Sequence, residues 1–227
     1  MLKKNNLKNV NIILLFQVVL LSLLYACSTA PPVDYSNFQA SAPKSILVIP
    51  PLNNSNEIKA TNSYLSIVTK PIAEMGYYVF PVAMVDQYLK TQGMPTPGEM
   101  HQVNIKKYHD VFGADAVLYI TIEDWGSKFR VVSSDVSVKS SAKLVDARNG
   151  LLLWSGKQFT TNADSSGQGD LLGMVVQAVI KQAVNDISNV ARGVAQRGVT
   201  QMIVNKKNGL LLGPRAQKIE TNQENGD

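Results

Sequence analysis

From residue 132 to residue 144, apolar and polar side chains alternate. Val132, Val136, Val138, Ala142 and Leu144 are interleaved with Ser133, Asp135, Ser137, Lys139 and Lys143. Successive side chains of a strand point to opposite faces, so this pattern predicts one long strand with a buried side and a wet side. Asn149-Gly150 follows, a dipeptide that favours reversal into an adjacent strand, and residues 151–159 supply that strand. The wet side of this hairpin, 133–143 and 157–161, is a candidate surface, because a strand that outgrows its domain leaves an edge open to pairing.

The other elements follow from the same kind of pattern. Ser45-Ile46-Leu47-Val48-Ile49 is apolar on both faces and stops at Pro50-Pro51, which suits a central strand covered on both sides. Residues 62–75 place Tyr64, Leu65, Val68, Ile72 and Met75 near helical spacing. Pro71 should kink that helix, or lie in the first turn of one beginning near Thr69, and Gly76 should cap it before the strand Tyr77-Tyr78-Val79-Phe80. A helix is predicted over 82–91, a loop over Gly93-Met94-Pro95-Thr96-Pro97-Gly98, and a helix over 103–112 ending at Gly113. Residues 116–124 read as a strand with Ala116, Leu118, Ile120 and Ile122 on one face and Val117, Tyr119 and Thr121 on the other.

From Asp170 onward, Leu172, Val176, Val179, Ala183, Ile187, Val190 and Val194 step by three or four and predict one long helix with an apolar stripe. Its small residues, Gly173, Ala178, Ala183, Ala191, Gly193 and Ala195, allow close approach, to the protein's own sheet in the plain case or to a partner. The order predicts a single mixed α/β domain over 45–216: a mixed sheet, a long β-hairpin and a long C-terminal helix, with a frayed tail at 217–227.

The N-terminus carries a different signal. Lys3, Lys4 and Lys8 precede an apolar run at 12–24, the order of an export signal, and the run is shorter than the ~20 residues that span a bilayer. Leu24-Tyr25-Ala26-Cys27 resembles a bacterial lipobox, although Tyr25 departs from the small or β-branched residue usual at that position. The resemblance implies a signal peptide at 1–26 and lipidation of Cys27, the only cysteine, which then becomes the first residue. Ser28 in place of aspartate implies sorting to the outer membrane, with the periplasmic face favoured over the cell surface. Residues 27–44, rich in Ser, Pro, Ala and Asn, read as the lipidated tether, at ~3.3 Å per residue.

Removing the signal takes three lysines and no acids, so the net charge falls from +5 to +2 and the basicity is no evidence for nucleic-acid binding. With no cysteine beyond Cys27, no internal disulfide can form, and two histidines with no further cysteine argue against a structural zinc site.

Motifs of catalysis are scarce. Glu123 and Asp124 adjoin at a strand end, where neighbours should point to opposite faces and cannot act as an acid–base pair. His101 and His109 have no convergent partners in the sequence and read as solvated surface residues. Gly167-Gln168-Gly169 sits between strand and helix, but the next glycine, Gly173, falls one position late for a dinucleotide fingerprint, and no βαβ crossover follows. A flexible loop with Asp164, Ser165 or Ser166 near the start of a helix explains it more simply. No catalytic residue, cofactor or metal site is assigned.

Ser45-Ile-Leu-Val-Ile-Pro-Pro-Leu-Asn-Asn and Pro71-Ile-Ala-Glu-Met-Gly-Tyr-Tyr-Val-Phe-Pro-Val-Ala resemble a family of bacterial lipoproteins of unknown function that includes a genome-derived neisserial antigen. Phe112-Gly-Ala-Asp-Ala-Val-Leu-Tyr-Ile-Thr-Ile-Glu-Asp-Trp, Leu144-Val-Asp-Ala-Arg-Asn-Gly and Leu210-Leu-Leu-Gly-Pro-Arg extend the likeness over nearly all of 27–216. The resemblance implies a fold like the TolB N-terminal domain and distant kinship with CsgG-like lipoproteins and with lipoprotein activators of peptidoglycan synthases. It implies no catalytic residues.

The expected function is therefore that of a non-enzymatic outer-membrane lipoprotein. It would contact other envelope proteins, a CsgG-like lipoprotein among them, and associate with itself, as an accessory of envelope assembly or secretion. The alternative is a regulator of a peptidoglycan-synthesising enzyme, for which a tether of about 17 residues is short. A hydrolase or ligand-binding enzyme would rest only on residues 164–170. A Cys27→Ala variant should fractionate as soluble or stay unprocessed in the inner membrane; unchanged outer-membrane fractionation would refute lipidation as the anchor.

Overall fold

The computed structural model describes residues 33–129, 134–162 and 187–216. Six strands, β1 (Ser45–Val48), β2 (Leu52–Asn53), β3 (Tyr78–Val79), β4 (Ala116–Phe129), β5 (Ser134–Asp146) and β6 (Leu152–Thr161), form one mixed sheet. Its order is β3-β1-β4-β5-β6, with β2 continuing the line of β1 along β4. β1 pairs parallel with both neighbours, whereas β4, β5 and β6 run antiparallel. Among the described residues six helices accompany it: α1 (Ser36–Ser41), α2 (Ala60–Glu74), α3 (Val82–Thr91), α4 (Pro97–Gln102), α5 (Ile105–Phe112) and α6 (Ile187–Val204). The predicted mixed α/β class, hairpin and C-terminal helix are all present.

β1 behaves as its composition requires. Ile46, Leu47, Val48 and Ile49 have no exposed surface. Ile46 and Val48 face a core built with α1, α2 and α6, while Leu47 and Ile49 face a second core built with α3, α4 and α5. β4 divides in the same way, Ala116, Leu118, Ile120 and Ile122 on the first side and Val117 on the second. Pro50 and Pro51 have no N–H to give a ladder, so pairing breaks there and resumes at Leu52, opposite Thr121.

Several local expectations are corrected. α2 begins at Ala60 and runs through Pro71 into its last turn, where the missing N–H costs one bond near an end that leaves carbonyls unpaired anyway. The loop at 93–98 stops at Thr96. Its hydroxyl accepts from the Glu99 amide and its own amide donates to the Glu99 carboxylate, a capping box that starts α4 with Pro97 in its first turn. Residues 34–44, expected as tether, are folded: α1 buries Phe38, and the Tyr35 hydroxyl donates to the Gly209 carbonyl at 2.5 Å. The β5–β6 connection reverses over residues 147–150 rather than two residues, with Gly150 at φ 79° and the Asp146 amide donating to the Leu151 carbonyl. Of the long helix, residues before 187 lie outside the described residues, as do the signal segment and the tail at 217–227.

α6 lies almost on β6. Ala191, Val194, Ala195, Val199, Met202 and Ile203 are buried, so its stripe packs on the protein's own sheet. A Cβ on Gly198 would sit 2.2 Å from both Gln158 Oε1 and Thr160 Oγ1. Beneath it runs a buried polar chain. Thr160 donates to Gln158 (2.9 Å), Gln158 donates to Ser140 Oγ (3.1 Å), and the hydroxyls of Ser140 and Tyr64 share a hydrogen bond of 2.8 Å. Burial pushes the Tyr64 hydroxyl up to about 12, so it stays protonated. Gln158 and Thr160, expected on the wet side, are covered by this helix.

Among the described residues no helix is long and apolar enough to cross a membrane. Gly198→Val should force side-chain atoms into the Gln158–Thr160 pair and cost about 1–3 kcal/mol, a fall of several degrees in Tm. Gly193→Ala, five residues away with open space at its Cβ position, should stabilise by about 0.5–1 kcal/mol. Thermal melts of the two variants check both signs.

Candidate interaction surface

Register gives the sheet two unlike ends. Ile46, Ala116 and Asp146 stand level, with Leu152 paired to the adjacent Val145, so β1, β4 and β6 start, and β5 finishes, at one end, which we call the base. α1, the 147–150 turn and residues 205–216 gather there. From the base, the 14 residues of β4 rise about 45 Å. Helices α3–α5 cover their side of the sheet only near the base, over Leu47, Ile49, Val117 and Ala147.

Beyond that cover, among the described residues, the hairpin face is exposed at Lys139, Lys143, Lys157 and Phe159. Lys139 lies opposite Asp124 on β4 and Phe159 on β6; Ser141 lies opposite Thr121 and Lys157; Lys143 lies opposite Tyr119 and Ser155. Lys139, Lys143 and Lys157 are exposed, and Phe159 is 62% exposed. Around the outer edge of β6, which no described strand pairs, Lys157 and Phe159 continue into a groove of about 210 Å³ that Gln201, Asn205 and Asn208 close from the side of α6. An edge strand of ten residues beside amide and cationic side chains can take an extended segment of another protein.

Glu123 and Asp124 differ from expectation. A β-bulge falls between Ile122 and Asp124, and Ile122 and Trp125 both point into the first core. The two acids between them therefore share the open face. The Lys139 ammonium lies 2.7 Å from Glu123 Oε2, and their hydrogen bond holds the carboxyl below its usual range and the ammonium above its own. Ser137, expected to be wet, is buried and donates to Asp124 Oδ2 at 3.1 Å. The pairing binds acid to base across strands, with the Lys157 charge adding to the pull on Glu123 and the Asp124 charge to that on Lys139.

The histidines are corrected as well. His101 Nε2 lies 3.0 Å from the Pro50 carbonyl with its ring edge on Tyr119, and His109 Nδ1 lies 2.9 Å from the Ala114 carbonyl. A carbonyl only accepts, so each of these nitrogens carries a proton. Burial lowers the pKa of His101. Both rings pin loops, and neither is a free surface residue. Among the described residues no group of His, Cys, Asp and Glu could hold a metal ion. Cys27 and the stretch 164–173, with Asp164, Ser165, Ser166 and Gly167-Gln168-Gly169, lie outside the described residues.

A cluster at the base had no counterpart in the sequence reading. Asp146, with no exposed side-chain surface, accepts from Arg148 Nε (3.1 Å) and Nη2 (2.6 Å), from the Arg148 amide (2.7 Å) and from Ser41 Oγ (2.6 Å). Arg148 Nη2 also donates to the Ser41 carbonyl. Burial would raise the Asp146 pKa, but these donors outweigh it and hold the carboxyl at about 2. The cluster locks α1, and hence the point where the N-terminal chain joins, onto the β5–β6 turn.

Comparison with known proteins gives a consistent result. Residues 33–215 match the family of GNA1162-like lipoproteins. The chain is 38% identical over 195 residues to the lipoprotein NMB1124/NMB1162 of Neisseria meningitidis serogroup B, covering 85% of this chain and 91% of that one. The crystal structure of lipoprotein GNA1162 from Neisseria meningitidis matches with a TM-score of 0.52 at 43% identity, over 63% of this chain and 99% of that one.

Because the folded-state pKa of Asp146 is depressed, its contribution to stability is present above about pH 4 and is lost as pH falls toward 2. Asp146→Asn should cost about 2 kcal/mol at neutral pH and flatten stability between about pH 4 and pH 2. Urea unfolding of both proteins across that window tests the sign.

Proposed function

The chain belongs to the family of GNA1162-like lipoproteins, and on that premise we propose that it is an outer-membrane lipoprotein that works without catalysis, by holding other envelope proteins. It serves envelope assembly or secretion as an accessory, with a CsgG-like lipoprotein and further copies of itself as partners, and is anchored by lipid on Cys27 at the periplasmic face. The observation that carries this is the open face of the hairpin: Lys139, Lys143, Lys157 and Phe159 are exposed on a three-stranded platform that the described helices leave uncovered. Rim lysines around an exposed aromatic suit a protein partner better than a small ligand, which needs concave enclosure. Regulation of a peptidoglycan synthase is the less favoured role, since folding of residues 34–44 shortens an already short tether.

Photo-crosslinking residues placed at 143 and 159 in intact cells should yield discrete adducts with envelope proteins or with a second copy. The same residue at exposed Met84, on α3, should not. Monomer alone at both hairpin positions would overturn the proposal.

A further inference from the structure

The base of the sheet is both cationic and apolar. Exposed Arg148 grips Ser41 at the end of α1, and exposed Lys206 and Lys207 occupy the turn whose Gly209 carbonyl takes the Tyr35 hydroxyl. Lys44 and Arg215 line one cavity of about 520 Å³, where the Arg215 guanidinium lies 5.6 Å from the centre of the Tyr78 ring. Leu151 and Leu152 are each 48% exposed and Leu212 is 52% exposed. All three belong to the same end: the Leu152 carbonyl accepts from Asn37 of α1, and Leu212 lines a cavity with Phe38 and Gln39.

The carboxylates there are already engaged. Asp34 caps the Ser36 amide, Asp115 takes the amides of Lys44 and Ser45, and Asp146 is paired with Arg148. At the margin, Glu74 pairs with Lys70 and Asp110 lies one helical turn from Lys106.

We propose that this base lies against the phospholipid surface of the leaflet that holds the acyl chains of Cys27, with its cations on anionic headgroups and its leucines at the acyl boundary. The proposal rests on the lipid-anchor reading above. Six residues separate Cys27 from Asp34, at most about 25 Å of chain, so an anchored body stays within about that distance of the headgroups. Within that reach, each lysine or arginine facing an anionic surface strengthens docking about fivefold. Anionic phospholipid is thus the partner that chain length and charge both select. Docked by its base, the molecule stands upright, with the far end of β4–β5 directed away from the bilayer.

The test uses the full lipidated protein on vesicles of phosphatidylethanolamine with phosphatidylglycerol and on vesicles of phosphatidylcholine, read by flotation and by hydrogen exchange. Amides of 147–152 and 204–215 should exchange more slowly on the anionic vesicles, while those of the hairpin face at 139–143 should not change. Lys206→Gln with Lys207→Gln should reduce that protection about fivefold per lysine, with flotation and Tm retained. Equal exchange on the two vesicles, or protection that survives the double substitution, overturns the docked base. Failure to float on phosphatidylcholine overturns the anchor reading itself, and the docked base with it.

Discussion

β4 is the constraint on which the rest of this fold depends. It is the seam between the two halves of the sheet, parallel to β1 and β2 on one side and antiparallel to β5 on the other. Near the base its side chains must satisfy two cores at once, Ala116, Leu118, Ile120 and Ile122 in one and Val117 in the other. A slip of one residue would exchange the two sets and expose the larger. The bulge at Glu123 and Asp124 sits where cover on the second side runs out, and it turns both acids toward water while Trp125 returns to the first core. β4 thus changes from a strand buried on both faces to one face of an open platform within a single element.

What could be read from sequence follows from this division. β1, β4 and the hairpin were legible because burial imposes apolar patterns on strands directly, and α3 was legible for the same reason in helical form. α1 was not: its only large apolar residue among Ser36–Ser41 is Phe38, and a single buried aromatic leaves no periodicity. α4 was hidden by Pro97 and Gly98, although Thr96 and Glu99 carry the capping-box spacing. The pairing of Glu123 with Asp124 on one face could not be foreseen, because a bulge changes the parity that the inference relied on. Gln158 and Thr160 looked solvent-facing because Gly198, which lets α6 descend onto them, lies forty residues further along the chain. The exposure of Lys139, Lys143 and Lys157 along the hairpin was legible in the alternation, whereas the Asp146–Arg148–Ser41 cluster depends on contacts more than a hundred residues apart in sequence.

Close backbone approach recurs at the base. A Cβ on Gly76 would meet the Ala216 nitrogen at 2.3 Å, and one on Gly213 would meet the Gly76 carbonyl carbon at 2.8 Å. The Gly213 amide donates to the Met75 carbonyl and the Arg215 amide to the Gly76 carbonyl, while the Tyr77 hydroxyl donates to the Leu211 carbonyl. Residues 210–216 therefore strap the end of α2 to the rest of the base, and two glycines give the crossing room. With Asp146 and Arg148 holding α1, both α1 and residues 210–216 are fastened to the base by hydrogen bonds as well as by apolar contact.

Because α1 is locked to the base, the chain leading back to Cys27 always joins the body at the same pole. With the anchor at Cys27 and the docked base proposed above, copies held in one leaflet would share a polarity, all with bases toward the lipid and hairpins away from it. Assemblies among them are confined to rotations about the membrane normal, which permits rings and parallel pairs. Dihedral arrangements would require half of the copies to point the other way and are excluded by geometry. Under that proposal a single hydrogen-bonded cluster at one end of the sheet would restrict the symmetry open to any assembly of the chain.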